Sequence, residues 1–307
     1  MTKMNRRELI TGSAAMGLGA AGILADGSRA NAAPAQDIGP AANRPKKAVM
    51  YSMLPGNLSW EDRFKLAKDV GFEGVEGPPC SEQEAEVLRK ASDAAGLRIH
   101  SVIFGGWDAP LSSGDPEVVA RGLKNAENAM KAAQIMGADD ILLVPALVDS
   151  KTRYGDAYTR SQENVRKLIP LAEKLKVMVL IEEVWNNFLL SPLEYCTYVD
   201  SFKSKWVQSY FDVGNVVAFA WPEDWIRTVG KRIKKVHIKD YKGGPGLFGS
   251  RGGNFVNIRD GSIDWPEVRK AFAEINYTGY MTTELGGGDE KYLRDIVSRF
   301  DKILAGV

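Results

Sequence analysis

The chain has 307 residues, of which 44% are hydrophobic and 26% charged, the balance of an ordinary globular protein. Its 40 basic and 39 acidic residues leave a formal net charge of +1. That is not the basic surplus a nucleic-acid partner selects, and DNA- and RNA-binding classes are set aside.

In chain order, the first segment reads as a targeting signal. MTKMNRRELITGSAAMGLGAAGILA carries the pair Arg6-Arg7 and then a weakly apolar run rich in Gly and Ala. Ala30-Asn31-Ala32 supplies an A-x-A cleavage pattern. The apolar run is about sixteen residues, shorter than the ~20 that span a bilayer, so no stable membrane anchor is expected after cleavage. Residues 1–32 therefore read as a twin-arginine signal peptide, resembling those that export folded proteins, and the mature protein is expected in the periplasm. Residues 33–45, rich in Ala, Pro and Asn, read as a flexible lead, and residues 46–307 as a single folded domain. Cys80 and Cys196 sit in distant segments without a small disulfide framework around them and read as free thiols.

From residue 46 onward, short apolar runs alternate with amphipathic stretches. KAVMYSML reads as a strand, and SWEDRFKLAKDVG as a helix capped by Ser59 and closed by Gly71. GFEGVEGP, RIHSVIF and DDILLVPAL are the next strands, each followed by a helical pattern. VMVLIEEV, VQSYFDVG, KVHIKDY and GYMTTEL complete a set of eight, again with helices behind them. Apolar strands without clean alternation are covered on both faces, as in parallel sheets. Eight such units in a body of about 260 residues match a (β/α)8 TIM barrel. The chain shows no dinucleotide glycine fingerprint, which disfavours a doubly wound sheet.

The last four strands run into polar residues. Strand five ends in Glu182, strand six in Asp212, strand seven carries His237, and strand eight ends in Glu284, with gaps of about 30, 25 and 47 residues. One βα unit is ~30 residues, so each gap sets its residue one strand further round the rim where barrel enzymes do their chemistry. Three carboxylates converging on one rim repel each other. A divalent metal, held by three carboxylate oxygens and one imidazole nitrogen, answers that repulsion. The oxygen-rich donor set suits Mn²⁺, with Mg²⁺, Co²⁺ or Zn²⁺ as alternatives. Glu183 competes with Glu182 for the ligand position, because alternation in a doubly covered strand does not choose between them.

IEEVWNNFLLSP, YFDVGN, VHIKDY, DGSIDWPEV and TTEL together resemble the xylose isomerase-like barrel superfamily, and the likeness extends over residues 46 to 306. Its sugar isomerase/epimerase group includes the ketose 3-epimerases. The resemblance implies Glu182, Asp212, His237 and Glu284 as metal ligands, chooses Glu182 over Glu183, and makes Glu182 and Glu284 the acid/base pair. The chain departs from the ketose 3-epimerase pattern at Asn215, where those enzymes carry His, and at Gly106-Trp107, where relatives carry His-Trp. Their arginine past strand seven has no clear match, with Lys239, Lys242, Arg251 and Arg259 as candidates.

The activity implied is isomerisation or epimerisation of a sugar by proton abstraction next to a carbonyl, through an enediolate. The alternatives are an exported lyase or dehydratase acting on 3-keto-glycosides or inosose-type substrates and, further off, a non-catalytic sugar-binding barrel. A multi-zinc nuclease of the same superfamily needs more histidines than the two present. Trp107, Trp185 and Trp221 lie beyond strand ends, where flat rings suit a pyranose face; Asn215 and Lys239 are candidate polar contacts. YKGGPGLFGSRGGNF after strand seven reads as a flap over the site. The expected partner is a small-molecule sugar or glycoside; oligomeric state is left open, a homo-oligomer included.

Overall fold

The computed structural model describes residues 44–243 and 253–307. Residues 1–32, expected as a signal peptide, residues 33–43 of the expected lead, and residues 244–252 of the Gly-rich segment, Arg251 included, lie outside the described residues.

In chain order the strands begin with β1 (Lys46–Met50), β2 (Gly74–Gly77), β3 (Arg98–Gly105) and β4 (Asp140–Leu143). They continue with β5 (Met178–Glu182), β6 (Val207–Asp212) and β7 (Ile233–Ile238). Then come β8 (Asp240–Lys242), β9 (Asn254–Val256) and β10 (Tyr280–Thr283). Strands β1 to β7 and β10 form a closed barrel, every neighbouring pair parallel, sealed where β1 pairs with β10. This is the (β/α)8 TIM barrel.

The helices are α1 (Trp60–Val70), α2 (Glu82–Ala95), α3 (Pro116–Met136), α4 (Tyr154–Leu175) and α5 (Pro192–Asp200). After them come α6 (Val213–Val217), α7 (Pro222–Val229), α8 (Trp265–Glu274) and α9 (Glu290–Ala305). Local chemistry sets their ends. The Ser59 hydroxyl accepts from the Asp62 N–H, and Gly71, at φ 113°, closes α1 in the left-handed region. Ser81 and Glu84 form a reciprocal capping box on α2. Pro at the first turn follows Asp115 in α3 and Ser191 in α5.

Strand alternation sorts the side chains. In β5, Val179 and Ile181 join the large core between barrel and helices, so Leu180 and Glu182 face the lumen. By the same rule Tyr210 and Asp212 of β6 face inward, as do Lys235 and His237 of β7. Leu142, Val144, Leu180 and Tyr210 form a small apolar cluster of their own. Around it the lumen is polar: Glu76, His100, Ser101, Asp140, His237 and Thr282 are all fully buried. One face of each strand therefore holds the fold together, and the other is free for chemistry.

Two features depart from the expected pattern. The strand-six loop carries the short helix α6, whose apolar VGNVV was not separable from the strand before it. The strand-seven loop begins and ends in an antiparallel ribbon, β8–β9, pairing Tyr241 with Phe255. Asp240 anchors that ribbon: its carboxylate accepts from the N–H groups of Tyr241, Arg259 and Ile263 and from the Trp265 indole. Among the described residues no helix is long and apolar enough to cross a membrane.

Candidate metal centre

Registers between β5 and β7 set the heights of three of the four rim residues. Glu182 stands opposite Tyr210, and Asp212 opposite His237. Glu284 follows directly on β10, its N–H donating to the Ile238 carbonyl. One ligand atom from each of Glu182, Asp212, His237 and Glu284 falls within 4.8 Å of the others. Opposite ligands of a single ion lie roughly 4–5 Å apart, so one cation's shell spans this set.

His237 presents Nδ1 to the acids, at 3.1 Å from Glu182 Oε1, 3.4 Å from Glu284 Oε2 and 4.0 Å from Asp212 Oδ2. Asp212 divides its carboxylate. Oδ1 accepts from the Gly214 and Asn215 N–H groups and so caps α6. Oδ2 is buried and, among the described residues, lacks a hydrogen bond of proper direction, meeting Lys239 Nζ as an ion pair at 2.7 Å. An under-satisfied carboxylate oxygen aimed into a cluster of donors fits a cation. Lys239 also meets Glu284 Oε2 at 2.5 Å. It reaches both acids because Gly214 lies against it: a Cβ there would sit 2.4 Å from Lys239 Cγ and 2.8 Å from its carbonyl oxygen.

The electrostatics follow from this crowding. Burial raises Glu182 to about 7, with the His237 hydrogen bond and charge pulling the other way. Burial also raises Asp212, against the opposing pull of Lys239. Burial pushes Glu284 up as well, but His237 and Lys239 outweigh it and hold Glu284 at about 2. Burial acts to lower His237, yet the surrounding carboxylates, Glu76 first, leave it well above the ordinary histidine range.

Of the four residues, Glu182 and Glu284 line the open cavity above, which measures about 560 Å³; Asp212 and His237 are fully buried beneath it. Trp107, Trp185, Asn215 and Lys239 line the same cavity. The two tryptophans are half exposed at its mouth. Asn215 is braced by its neighbours: its side-chain amide donates to the Glu183 carbonyl, and its own carbonyl accepts from the Trp185 indole. Trp221 does not line this cavity; it sits exposed before α7. Lys242 and Arg259 do not line it either, which leaves Lys239 as its one lysine or arginine among the described residues.

Glu183 points the other way from Glu182. Its Oε1 accepts the Asp212 N–H at 2.5 Å, and burial raises it well above the carboxylate range. Both cysteines are free thiols.

Two contributors escaped the reading of the sequence. Phe255, from β9, stacks on Trp185 at 4.8 Å between ring centroids and lines the cavity. Glu76 of β2 lies 2.7 Å from His237 Nε2. The available signal was a carboxylate in mid-strand, in GFEGVEGP, where a buried strand should be apolar.

Comparison with known proteins agrees with this architecture. The family model described as xylose isomerase-like TIM barrel matches residues 64–303. The L-ribulose-5-phosphate 3-epimerase UlaE of Escherichia coli O1:K1 / APEC is 26% identical over 252 residues, 77% of this chain and 86% of the relative. UlaE of Salmonella paratyphi A is 25% identical over 253 residues, with the same shares covered. Among solved structures, the 3-keto-D-glucoside 4-epimerase YcjR from E. coli superposes with a TM-score of 0.71 at 18% identity, covering 84% of this chain and all of that one. A D-psicose 3-epimerase gives 0.65 at 19%, covering 85% of this chain and all of that one. Matched along most of its length and folded as such a barrel, the chain belongs to the xylose isomerase-like TIM barrel family.

Proposed function

We propose that the protein is a divalent-metal-dependent sugar epimerase or isomerase that moves a proton at a carbon next to a carbonyl. The observation that carries this is the division of the rim cluster: four donors converge, and only Glu182 and Glu284 also open onto the cavity. The relatives named above as sugar epimerases support the same reaction class.

Glu182, Asp212, His237 and Glu284 would hold the ion, with Mn²⁺ the first choice for three carboxylates and one imidazole. A bound divalent ion supplies Lewis acidity toward a carbonyl oxygen and stabilises the charge that develops there. Glu182 and Glu284 are the acid/base pair: one removes the proton and the other returns one. Return to the opposite face of the same carbon inverts it; return to the neighbouring carbon isomerises. Lys239, beside Glu284, holds a positive charge toward the oxygen that becomes an anion. Asn215 orients Trp185, and Trp185 with Trp107 gives the sugar an aromatic wall.

A second reading is favoured by the breadth of that wall. Trp107, Trp185 and Phe255 line the cavity together with the acid pair, an apolar surface that the aglycone of a glycoside would cover. Expulsion of its aglycone from the same enediolate would make the enzyme a lyase.

The test is incubation of metal-loaded protein with ketoses and 3-keto-glycosides in D₂O. Deuterium at the stereocentre with the skeleton intact marks an epimerase, and aglycone release marks a lyase. Absence of exchange in every substrate refutes catalysis. Glu182→Gln and Glu284→Gln should each lower turnover by about 10²–10⁴-fold. We propose further that residues 1–32 export the enzyme to the periplasm; replacing Arg6 and Arg7 by Lys should leave it inside the cell.

A further inference from the structure

The cluster is built from β5, β6, β7 and β10, but its histidine is held from the opposite wall. Glu76 of β2 is fully buried in the lumen, and its Oε2 lies 2.7 Å from His237 Nε2. The Ser101 hydroxyl donates to the other oxygen, Oε1, at 3.2 Å. The Tyr210 ring packs against the imidazole with centroids 4.5 Å apart. Glu76 does not line the cavity, so it does not meet the substrate.

A histidine ligates a metal as the neutral imidazole, with one N–H and one lone pair, and a carboxylate oxygen accepts a hydrogen bond. With an ion held by Glu182, Asp212 and Glu284, the Nδ1 lone pair faces that ion and the one proton belongs on Nε2, toward Glu76. The other tautomer would set a lone pair against Glu76 and turn an N–H toward the metal donors.

We propose that Glu76 is a positioning residue for the metal centre: by accepting the Nε2–H hydrogen bond it fixes the tautomer and ring orientation with which His237 offers Nδ1 to the ion. The proposal rests on the metal reading above. Carboxylates that orient a ligating histidine in this way are worth about 10–100-fold in metal affinity or activity.

The experiment measures Mn²⁺ binding by titration calorimetry on chelator-stripped protein, for wild type, Glu76→Gln and Glu76→Met. Thermal melting of each variant establishes that it is folded. Glu76→Met fills a similar volume without an acceptor and should weaken Mn²⁺ about 10–100-fold. Glu76→Gln keeps an acceptor oxygen and should recover most of that loss. A merely structural Glu76 would lower the melting temperature of both variants and leave the Mn²⁺ affinity of the folded protein unchanged, which overturns the proposal. Equal loss in Gln and Met overturns it too, because charge rather than the hydrogen bond would then be responsible.

The chain has only two histidines, so ¹⁵N-histidine NMR of the Zn²⁺-loaded wild type reads the tautomer directly even if neither variant folds. His237 should show a protonated Nε2 and a metal-bound Nδ1; the reverse assignment refutes the proposal. If wild type binds none of these ions, the metal reading fails first and takes this one with it. If wild type binds and the variants match it, only the role of Glu76 is lost.

Discussion

Adjacent glutamates at the end of β5 have opposite duties because a strand turns alternate side chains to opposite faces. Glu182 faces the lumen and the cavity; Glu183 faces the strand end of β6 and accepts the Asp212 N–H. Burial raises Glu183 well above the usual carboxylate range, and its bond to the Asp212 N–H needs only an acceptor oxygen, which Gln also offers. Glu183→Gln should therefore be nearly silent in stability and turnover, whereas Glu183→Ala strands a buried N–H and costs about 1–3 kcal/mol by chemical denaturation.

A second residue deeper in the lumen couples stability to pH. Burial raises Asp140 to about 7, against the pull of Lys235. A group whose folded pKa lies above its unfolded value contributes stability that is whole below the unfolded pKa, near 4, and is lost as pH rises through 7. Wild type should lose stability relative to Asp140→Asn across pH 4 to 7, by no more than roughly 4 kcal/mol for a shift of this size. Urea titrations at intervals across that window would show the slope. A pH-independent difference would sink the assignment.

At the scale of elements, the loops after β6 and β7 interlock. Asp212 ends a strand, caps α6 and faces the cluster; Gly214 then lets Lys239 pass close to the backbone. Gly214→Ala should displace Lys239 and cost about 1–3 kcal/mol by overpacking, with a larger fall in turnover than in stability. The β8–β9 ribbon places Phe255 on Trp185, and Phe255→Ala should raise KM for sugar more than it lowers kcat. Equal changes in both would place the ring in the chemistry instead of the wall. These interlocks were only partly legible in the sequence. Asp212 was found because it follows an apolar run at barrel spacing. α6 was not, since five residues are too few for a helical period to declare itself. Phe255 was not, because its three-residue strand sits beyond a run of glycines. Trp221 and Trp185 looked alike, because exposure beyond a strand end does not say which way a loop turns. Glu76 was hidden for a different reason: its partner is 161 positions away, and local pattern carries no information over that distance.

For the whole molecule, the eight strand–helix units were readable because each has its own apolar run and most of the helices have their own capping residue, independent of the others. The site binds several of those units together. Three acids in one buried cluster oppose one another, so a cation bound there should stabilise the fold as well as the reaction. At a free concentration a hundredfold above its Kd an ion adds about 2.7 kcal/mol. With melting shifts of about 2–4 °C per kcal/mol for domains of 150–250 residues, stripping it with a chelator should lower the melting temperature by ~5–10 °C. Readdition of Mn²⁺ should restore it, and an unchanged melting curve would count against the cluster as an ion site.

The hydrogen bond from His237 to Glu76 spans the lumen, and that span has a consequence for assembly. All four donors lie in the second half of the chain, yet the acceptor behind the imidazole belongs to the first. A half-barrel fragment could gather the acids without holding the ring in place. For an ion held as proposed, full affinity would then emerge only as the β1–β10 seam zips shut, and its uptake would be a late reporter of ring closure during folding.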